Sequence, residues 1–128
     1  MKISVLIPTY NRARFLGDAI RSALNQDYKD IEVIVSDNAS TDDTYKVVSQ
    51  FFYDKRLKYY RNEKNIGMVE NWKKMVYQLS NGEWFVILSD DDYFVFNEYI
   101  TQAVEIIKVM YNKVCKNMIV VRYKGSKG

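Results

Sequence analysis

Three consecutive carboxylates follow the apolar stretch Trp84–Leu88, and they are Asp90, Asp91 and Asp92. A strand that is buried on both faces carries no charge along its length, so these acids must emerge together where the strand ends. Adjacent anions repel one another, and a hard divalent cation with oxygen ligands, Mg²⁺ or Mn²⁺, would relieve that repulsion. Such a cation usually brings phosphate with it. The alternative is a solvated acidic turn, which is the more frequent explanation for an isolated acidic triplet.

The amino-acid composition limits the kinds of reaction and ligand in which these acids could take part. With 128 residues, 48% of them hydrophobic, the chain is sized for one domain, and it contains no internal repeat. There is no histidine, so acid–base work must fall to carboxylates, lysine or tyrosine. The single Cys115 cannot form an internal disulfide, and a reducing, cytoplasmic setting fits best. The mild net charge of +3 suits a small anionic ligand better than nucleic acid, and the N-terminal apolar run is too short for a signal peptide or membrane span.

Apolar, β-branched runs alternate with amphipathic segments along the chain. Strands are predicted at 3–7, 31–35, 57–61, 84–88 and 118–123, with the polar third strand near an edge. Helices are predicted between them, with Asn11 capping the first, a capping box at 40–43 opening the second, Gly82 ending the third and Asn97 capping the fourth. Pro8 should close the first strand. This alternation predicts an α/β fold with a parallel central sheet, right-handed crossovers and helices on both faces.

Ligands of such sheets bind beyond the carboxyl ends of the strands, near the point where strand order reverses. Three polar groups should therefore meet at one edge: 9–11, 36–38 and 90–92. Asp37 is placed to accept hydrogen bonds from a ribose or a base, and equally to cap the helix that follows. Gly67 would let the backbone approach a ligand, although a turn glycine would look the same.

No phosphate-cradling glycine motif accompanies these strand ends. G-x-G-x-x-G does not follow the first strand, and G-x-x-x-x-G-K-[ST] is absent from the chain. A dinucleotide-binding fold and a P-loop nucleotidase are therefore both disfavoured. A diphosphate would need a metal instead, which the acidic strand end could hold.

Four blocks of sequence carry a resemblance to a known family. They are Ile3-Ser-Val-Leu-Ile-Pro-Thr-Tyr-Asn11, Asp37-Asn-Ala-Ser-Thr-Asp-Asp-Thr44, Asn65-Ile-Gly67 and Leu88-Ser-Asp-Asp-Asp92. In this order the blocks resemble family 2 glycosyltransferases of the GT-A fold, in particular bacterial enzymes of cell-surface polysaccharide or lipopolysaccharide synthesis. The resemblance covers nearly the whole chain and implies a Rossmann-like GT-A domain at 1–123, followed by a polar tail at 124–128.

The resemblance implies a nucleoside-diphosphate sugar donor and a divalent metal, Mn²⁺ or Mg²⁺. It assigns the nucleotide-sugar pocket to Pro8, Thr9, Tyr10, Asp37, Gly67 and Asp90. It assigns the metal to Asp91 and Asp90, with Asp92 in support. The first position of the family's Asp-x-Asp motif is Ser89 here, and Asn71-Trp72 stands where many members carry a basic residue before asparagine.

The reaction implied is sugar transfer to the hydroxyl of a saccharide or lipid-linked acceptor, with inversion. The family's general base normally lies in an acceptor-binding half, so we expect the catalytic base beyond residue 128 and little activity from this piece alone. A non-catalytic nucleotide-sugar-binding module of the same fold remains the alternative. A phospho-receiver-like domain is a more remote reading, because its acids would follow the first strand. We expect a cytoplasmic protein, peripheral at most at the inner face of the membrane.

Overall fold

The structure is a computed structural model that describes residues 1–114. In chain order the elements are β1 (Ile3–Thr9), α1 (Ala13–Leu24), β2 (Ile31–Asp37), α2 (Thr44–Ser49), β3 (Leu57–Arg61), α3 (Met68–Lys74), a π-helical segment (Met75–Leu79), β4 (Trp84–Ile87) and α4 (Tyr99–Val114). Each of the first four predicted strands is present, within two residues of its predicted bounds. The predicted fifth strand and the polar tail lie outside the described residues.

The four strands form one parallel sheet in the order β3-β2-β1-β4. The chain therefore builds outward from β1 to β3 and then returns to place β4 on the other side of β1. As predicted, β3 lies at an edge. Strand order reverses between β1 and β4, and this reversal is where open parallel sheets form a crevice for ligands.

The two faces of the sheet are covered by unequal layers of helix. One face packs against α1, α2 and α4 through seventeen buried residues, among them Val5, Ile20 and Val104. On the other face, the buried apolar residues found within 1–114 are Leu6, Ile34 and Met75, which pack with partly buried side chains of the π-helical segment. Helices thus cover both faces, as the alternation of strands and helices predicted, but the second layer has little apolar core.

Pro8 does not close β1, which continues to Thr9 with Pro8 paired opposite Ser36 of β2. In a parallel strand, alternate residues direct their backbone groups to opposite neighbours. Leu6 bonds towards β4 and Thr9 bonds towards β2, so the nitrogen of Pro8 faces the β4 side. Since β4 is paired only as far as Leu6, the missing N–H of Pro8 costs no ladder hydrogen bond.

The predicted caps of the first two helices are wrong, because the loops after β1 and β2 bond to each other instead. Asn11 has a φ of 51° and its side-chain oxygen accepts a hydrogen bond from the backbone of Thr41 at 2.8 Å. The Ser40 hydroxyl accepts the backbone N–H of Asn11 at 2.8 Å, and Asp42 accepts that of Ala13 at 3.0 Å. The start of α1 is therefore held by the second loop.

The ends of the later helices also differ from the prediction. The third helix widens into the π-helical segment and ends before Ser80, so Gly82 is not its cap. Met75, in the π-helical segment, is buried, whereas Val69 and Trp72 of α3 are exposed. α4 begins at Tyr99, and its Ile100 N–H is accepted by the side chain of Gln26 at 2.9 Å rather than by Asn97.

Candidate functional site

A cavity of about 680 Å³ opens at the carboxyl ends of β1 and β4, where strand order reverses. Its wall consists of Pro8, Thr9, Tyr10, Arg12, Asn38, Asn65, Gly67, Met68, Asn71, Trp72, Ile87, Ser89 and Asp90. The size is that of a pocket for a small molecule. Five of the residues that the sequence assigned to a nucleotide-sugar pocket lie in this wall: Pro8, Thr9, Tyr10, Gly67 and Asp90.

Asp90 is the acid that the structure places inside the cavity, and only 8% of it is exposed. Its carboxylate accepts a hydrogen bond from the Thr9 hydroxyl at 2.9 Å, which joins the ends of β4 and β1 across the reversal point. Burial raises the pKa of Asp90, although the Thr9 hydrogen bond and the charge of Arg12 act in the opposite direction. A buried carboxylate that is poorly solvated gains from the approach of a cation.

Asp91 and Asp92 lie outside the cavity wall and are exposed. Asp91 accepts hydrogen bonds from the Ser89 hydroxyl at 2.5 Å and from the Arg12 guanidinium at 3.0 Å. The Ser89 hydrogen bond and the charge of Arg12 lower the pKa of Asp91, so it stays ionised. Asp92 accepts the backbone N–H of Tyr93 at 2.9 Å, as a residue of a turn would.

The donor set at this strand end fits a divalent cation that takes part of its coordination from phosphate. Within residues 1–114, no group of three His, Cys, Asp or Glu side chains could hold a metal ion. Mg²⁺, however, is commonly held by one or two carboxylates together with substrate phosphates and water. Asp90 and Asp91 would supply those two carboxylates from adjacent positions, and the burial of Asp90 gives it a physical reason to bind a cation.

Asp37 is fully buried, and it does not line the cavity. Its carboxylate accepts hydrogen bonds from the backbone of Ser40 at 2.9 Å, the Tyr59 hydroxyl at 2.5 Å and the Arg61 guanidinium at 3.3 Å. Burial and the hydrogen bond to Asp37 together raise the pKa of Tyr59. This bond to Ser40 lies before α2, which begins at Thr44 with no side-chain cap, so the alternative role of Asp37 as a helix cap is wrong, and contact with a base stays a prediction.

Gly67 immediately precedes α3 and has a φ of 87°, a conformation that side-chain-bearing residues rarely adopt. A Cβ built at this position would meet no atom within 4 Å. Glycine is therefore needed here to turn the chain into the helix, and not because another part of the protein presses against it.

The sequence interpretation placed Asn38 at a polar strand end but gave no role to the side chains of Asn65 and Asn71. Asn38, Asn65 and Asn71 all line the cavity and are joined behind it by hydrogen bonds. The run of asparagines at 62, 65 and 71 was a visible signal, but asparagine is so common in turns that composition could not distinguish a network from a loop.

Comparison with known families decides where this geometry belongs. The family model described as Glycosyl transferase family 2 matches residues 4–126. The chain belongs to this family. It is 42% identical over 92 residues to a GalNAc(5)-diNAcBac-PP-undecaprenol beta-1,3-glucosyltransferase of Campylobacter jejuni, and the match covers 71% of the chain and 30% of that relative.

Solved structures of two glycosyltransferases share the fold. S. aureus TarS in complex with UDP-GlcNAc superposes with a TM-score of 0.80 at 29% identity, covering 87% of this chain and 32% of that one. The mannosyltransferase PcManGT from Pyrobaculum calidifontis, in complex with GDP-Man and Mn²⁺, gives 0.74 at 26% identity, covering 81% and 31%. These matches confirm the predicted Rossmann-like GT-A fold. The chain spans about a third of the length of each relative.

None of the helices within residues 1–114 is long and apolar enough to cross a membrane.

Proposed function

We propose that this chain is the donor-binding part of a metal-assisted glycosyltransferase, which transfers a sugar from a nucleoside-diphosphate sugar to an acceptor hydroxyl. The observation that carries the proposal is the cavity at the reversal point, with the buried carboxylate of Asp90 in its wall. The relatives support it, because TarS was solved with UDP-GlcNAc and PcManGT with GDP-Man and Mn²⁺.

Each part of the cavity suits one part of such a donor. Tyr10 is 47% exposed, so its ring is available to stack on a base, while Pro8 and Gly67 contribute wall that carries no charge. Asp90 and Asp91 would hold Mg²⁺ or Mn²⁺, and Asp92 would support them from the following turn. Asp37 is fully buried, so a base would reach it only if one of the groups that enclose it, such as Tyr59 or Arg61, moved aside.

A bound divalent cation would supply the positive charge that stabilises the departing diphosphate. The chain itself would orient the ligand and keep the metal-binding oxygens in place. The Thr9 hydrogen bond holds the Asp90 carboxylate at the cavity wall, and Arg12 adds a positive charge at the mouth. We assign no general base to the described residues.

Titration calorimetry with UDP, GDP, CDP and dTDP, each with and without Mn²⁺, tests this function. We expect at least one nucleotide to bind and to depend on Mn²⁺ for its affinity. Asp90→Asn should weaken that binding at least tenfold, since it removes a charge that the cation would face. Asp18→Asn, an exposed change on α1, is the matched control and should bind as wild type does. Failure of all four nucleotides to bind would refute the proposal.

A donor-binding module without turnover is the second candidate. Asp90 is the one acid among the described residues that lines the cavity, and it is already assigned to the cation. Among the described residues of the wall, no second acid is therefore available to act as the general base that deprotonates the acceptor hydroxyl. Donor hydrolysis, assayed with whichever nucleotide sugar binds and with an acceptor-binding half of the family joined to the chain, separates the candidates, because only the transferase should then release nucleotide.

The acceptor is proposed to be a saccharide or a lipid-linked saccharide in the synthesis of bacterial cell-surface polysaccharide. The name of the Campylobacter relative describes an undecaprenol-linked acceptor. A lipid-linked acceptor would place the protein at the inner face of the membrane, which co-sedimentation with undecaprenyl-containing vesicles would detect. Protein that stays in the supernatant at every lipid concentration would contradict peripheral association.

A further inference from the structure

Asn62 lies behind the cavity wall and contacts two residues that form different parts of this wall. Asn62 directly follows β3 and is 5% exposed, and it is not among the residues that line the cavity. Two neighbours that do line the cavity, Asn38 after β2 and Asn71 within α3, are 4% and 2% exposed. The three side chains are therefore buried between the sheet and the helix.

The carboxamide of Asn62 joins these two neighbours directly. Its Nδ2 donates to Asn38 Oδ1 at 3.1 Å and to Asn71 Oδ1 at 3.0 Å, and its Oδ1 accepts from Lys74 Nζ at 2.7 Å. An ammonium group can only donate, so the contact with Lys74 fixes which end of the Asn62 amide is oxygen. Both amide hydrogens are consequently committed to the two neighbours.

Asn38 and Asn71 are in turn hydrogen-bonded to other parts of the cavity wall and of the sheet. Asn38 donates to Asn65 Oδ1 at 2.9 Å and accepts the backbone N–H of Ile66 at 2.9 Å. These two bonds hold the loop that leads to Gly67. Asn71 donates to the backbone oxygen of Ser36 at 3.1 Å and accepts from its hydroxyl at 2.7 Å, which ties α3 to the end of β2.

We propose that Asn62 is a positioning residue, which sets the nucleotide affinity of the cavity by fixing the wall formed by the loop 65–67 and the start of α3. It does so through Asn38 and Asn71 and without touching the ligand. The inference rests on the proposed function, since it assumes that a nucleotide occupies the cavity. The face of the sheet that has the smaller apolar core would then do more than stabilise the fold. It would hold in place the wall of the cavity that the loop 65–67 and the start of α3 form.

The same face provides a control at the other end of the strands. There, Asn81 donates through its backbone to Glu32 Oε1 at 2.6 Å and through Nδ2 to Glu32 Oε2 at 3.3 Å. This second network lies near the starts of β1 and β2, away from the cavity. A change there loosens the same layer of the protein without reaching the wall.

The test compares Asn62→Asp with Asn81→Asp. Asn62→Asp keeps the size of the side chain and an acceptor for Lys74, but it sets an oxygen against the oxygens of Asn38 and Asn71. Asn81→Asp likewise sets an oxygen against a Glu32 oxygen. We expect both variants to lower Tm, and only Asn62→Asp to weaken nucleotide binding, by about tenfold for the loss of buried hydrogen bonds. Affinity for Mn²⁺ alone, measured by electron paramagnetic resonance, should not change in either variant.

Hydrogen exchange without ligand provides a readout that does not depend on the proposed function. Amides in 65–71 should lose protection in Asn62→Asp and keep it in Asn81→Asp. If the wild-type protein bound no nucleotide, the proposed function would be refuted. If exchange in 65–71 were the same in Asn62→Asp as in wild type, the proposed restraint by Asn62 would be refuted independently of that function. Equal nucleotide affinity in the two variants, or equal loss of Mn²⁺ affinity, would also overturn the inference.

Lys74→Met covers the case in which Asn62→Asp does not fold. It removes the ammonium that orients Asn62 and keeps the length of a partly exposed side chain. We expect a two- to threefold loss of nucleotide affinity, about the effect of one weakened hydrogen bond, together with faster exchange in 65–71. Wild-type values of both quantities would overturn the inference.

Discussion

Arg12 and Asp91 form an ion pair of 3.0 Å between the loop after β1 and the loop after β4. Arg12 lines the cavity, so its guanidinium and a cation would compete for the same carboxylate. We expect Arg12→Gln to tighten binding of Mn²⁺ alone by about two- to fivefold, the range typical of an exposed pair. Because Arg12 also attracts phosphate, nucleotide binding in the presence of Mn²⁺ should weaken.

A gain in Mn²⁺ affinity together with a loss in nucleotide affinity would distinguish competition between Arg12 and the cation from a general disturbance of the loops. Arg21→Gln is the control, since Arg21 forms a similarly exposed pair with Asp18 at 3.0 Å on α1. It should leave both affinities unchanged. A loss of affinity for both Mn²⁺ and nucleotide in Arg12→Gln would show that Arg12 supports the site and does not compete at it.

Single residues were predictable where their position along a strand decided their place. Thr9 and Asp90 could be predicted to lie at the cavity because the apolar runs locate the carboxyl ends of β1 and β4 to within two residues. Asp37 also ends its strand, yet Tyr59 and Arg61 of β3 enclose it. Strand neighbours that are more than twenty residues distant cannot be deduced from a local pattern, and so burial of this acid was missed.

At the scale of elements, Glu32 ties three parts of the sheet together. This carboxylate of β2 is 2% exposed and accepts hydrogen bonds from Ser4 at 2.6 Å, Lys58 at 2.8 Å and Asn81 at 2.6 Å. Burial alone would raise its pKa, but the hydrogen bonds outweigh burial and lower the pKa of Glu32 from 4.5 to about 2.

The free energy of unfolding should therefore decrease as the pH is lowered through a defined range. A carboxyl whose folded pKa is lowered stabilises the fold above its unfolded pKa, and it loses that contribution as pH falls through the folded value. We expect about 3 kcal/mol to be lost between roughly pH 4.5 and pH 2. Glu32→Gln should lose much of this stability already at pH 7 and show a flatter profile in urea unfolding. Glu70→Gln, an exposed change on α3, should keep the wild-type profile.

The two glycines that flank the third helix should respond differently to alanine. A Cβ at Gly82 would lie 2.6 Å from the backbone nitrogen of Ser4, and backbone atoms of β1 cannot move aside cheaply. A Cβ at Gly67 meets open space and suffers only from the φ of 87°. We expect Gly67→Ala to cost about 1 kcal/mol, and Gly82→Ala about 2–3 kcal/mol. Urea unfolding measures both, and a larger loss at Gly67 would contradict the packing argument.

Helix bounds were less predictable than strands for a physical reason. The N–H groups that open α1 and α4 are accepted by Asp42 and Gln26, side chains that belong to other segments of the chain. A local capping pattern reports only partners within a few residues. Where the fold supplies a distant partner, the local candidate can make other bonds, as the Asn11 side chain does with Thr41.

For the whole molecule, the unequal layers on the two faces of the sheet imply unequal local stability. Among the residues that the structure describes, the cluster on the face under α1 has seventeen buried hydrophobic residues, and the cluster on the face under the π-helical segment has three. Buried apolar area provides most of the free energy that opposes local opening. The layer that contains α3 is held largely by hydrogen bonds, and it is also the layer that forms one wall of the cavity.

We therefore expect native-state hydrogen exchange to show α3 and the π-helical segment opening at lower free energy than α1. Nucleotide with Mn²⁺ should slow exchange in α3 more than in α1, because a ligand stabilises most strongly the region that must be ordered to bind it. The comparison should be made under conditions in which opening is in rapid equilibrium, so that exchange reports free energy and not rate. Equal protection of α1 and α3 in the free protein would show that the buried hydrogen bonds of the second face compensate fully for its small apolar core.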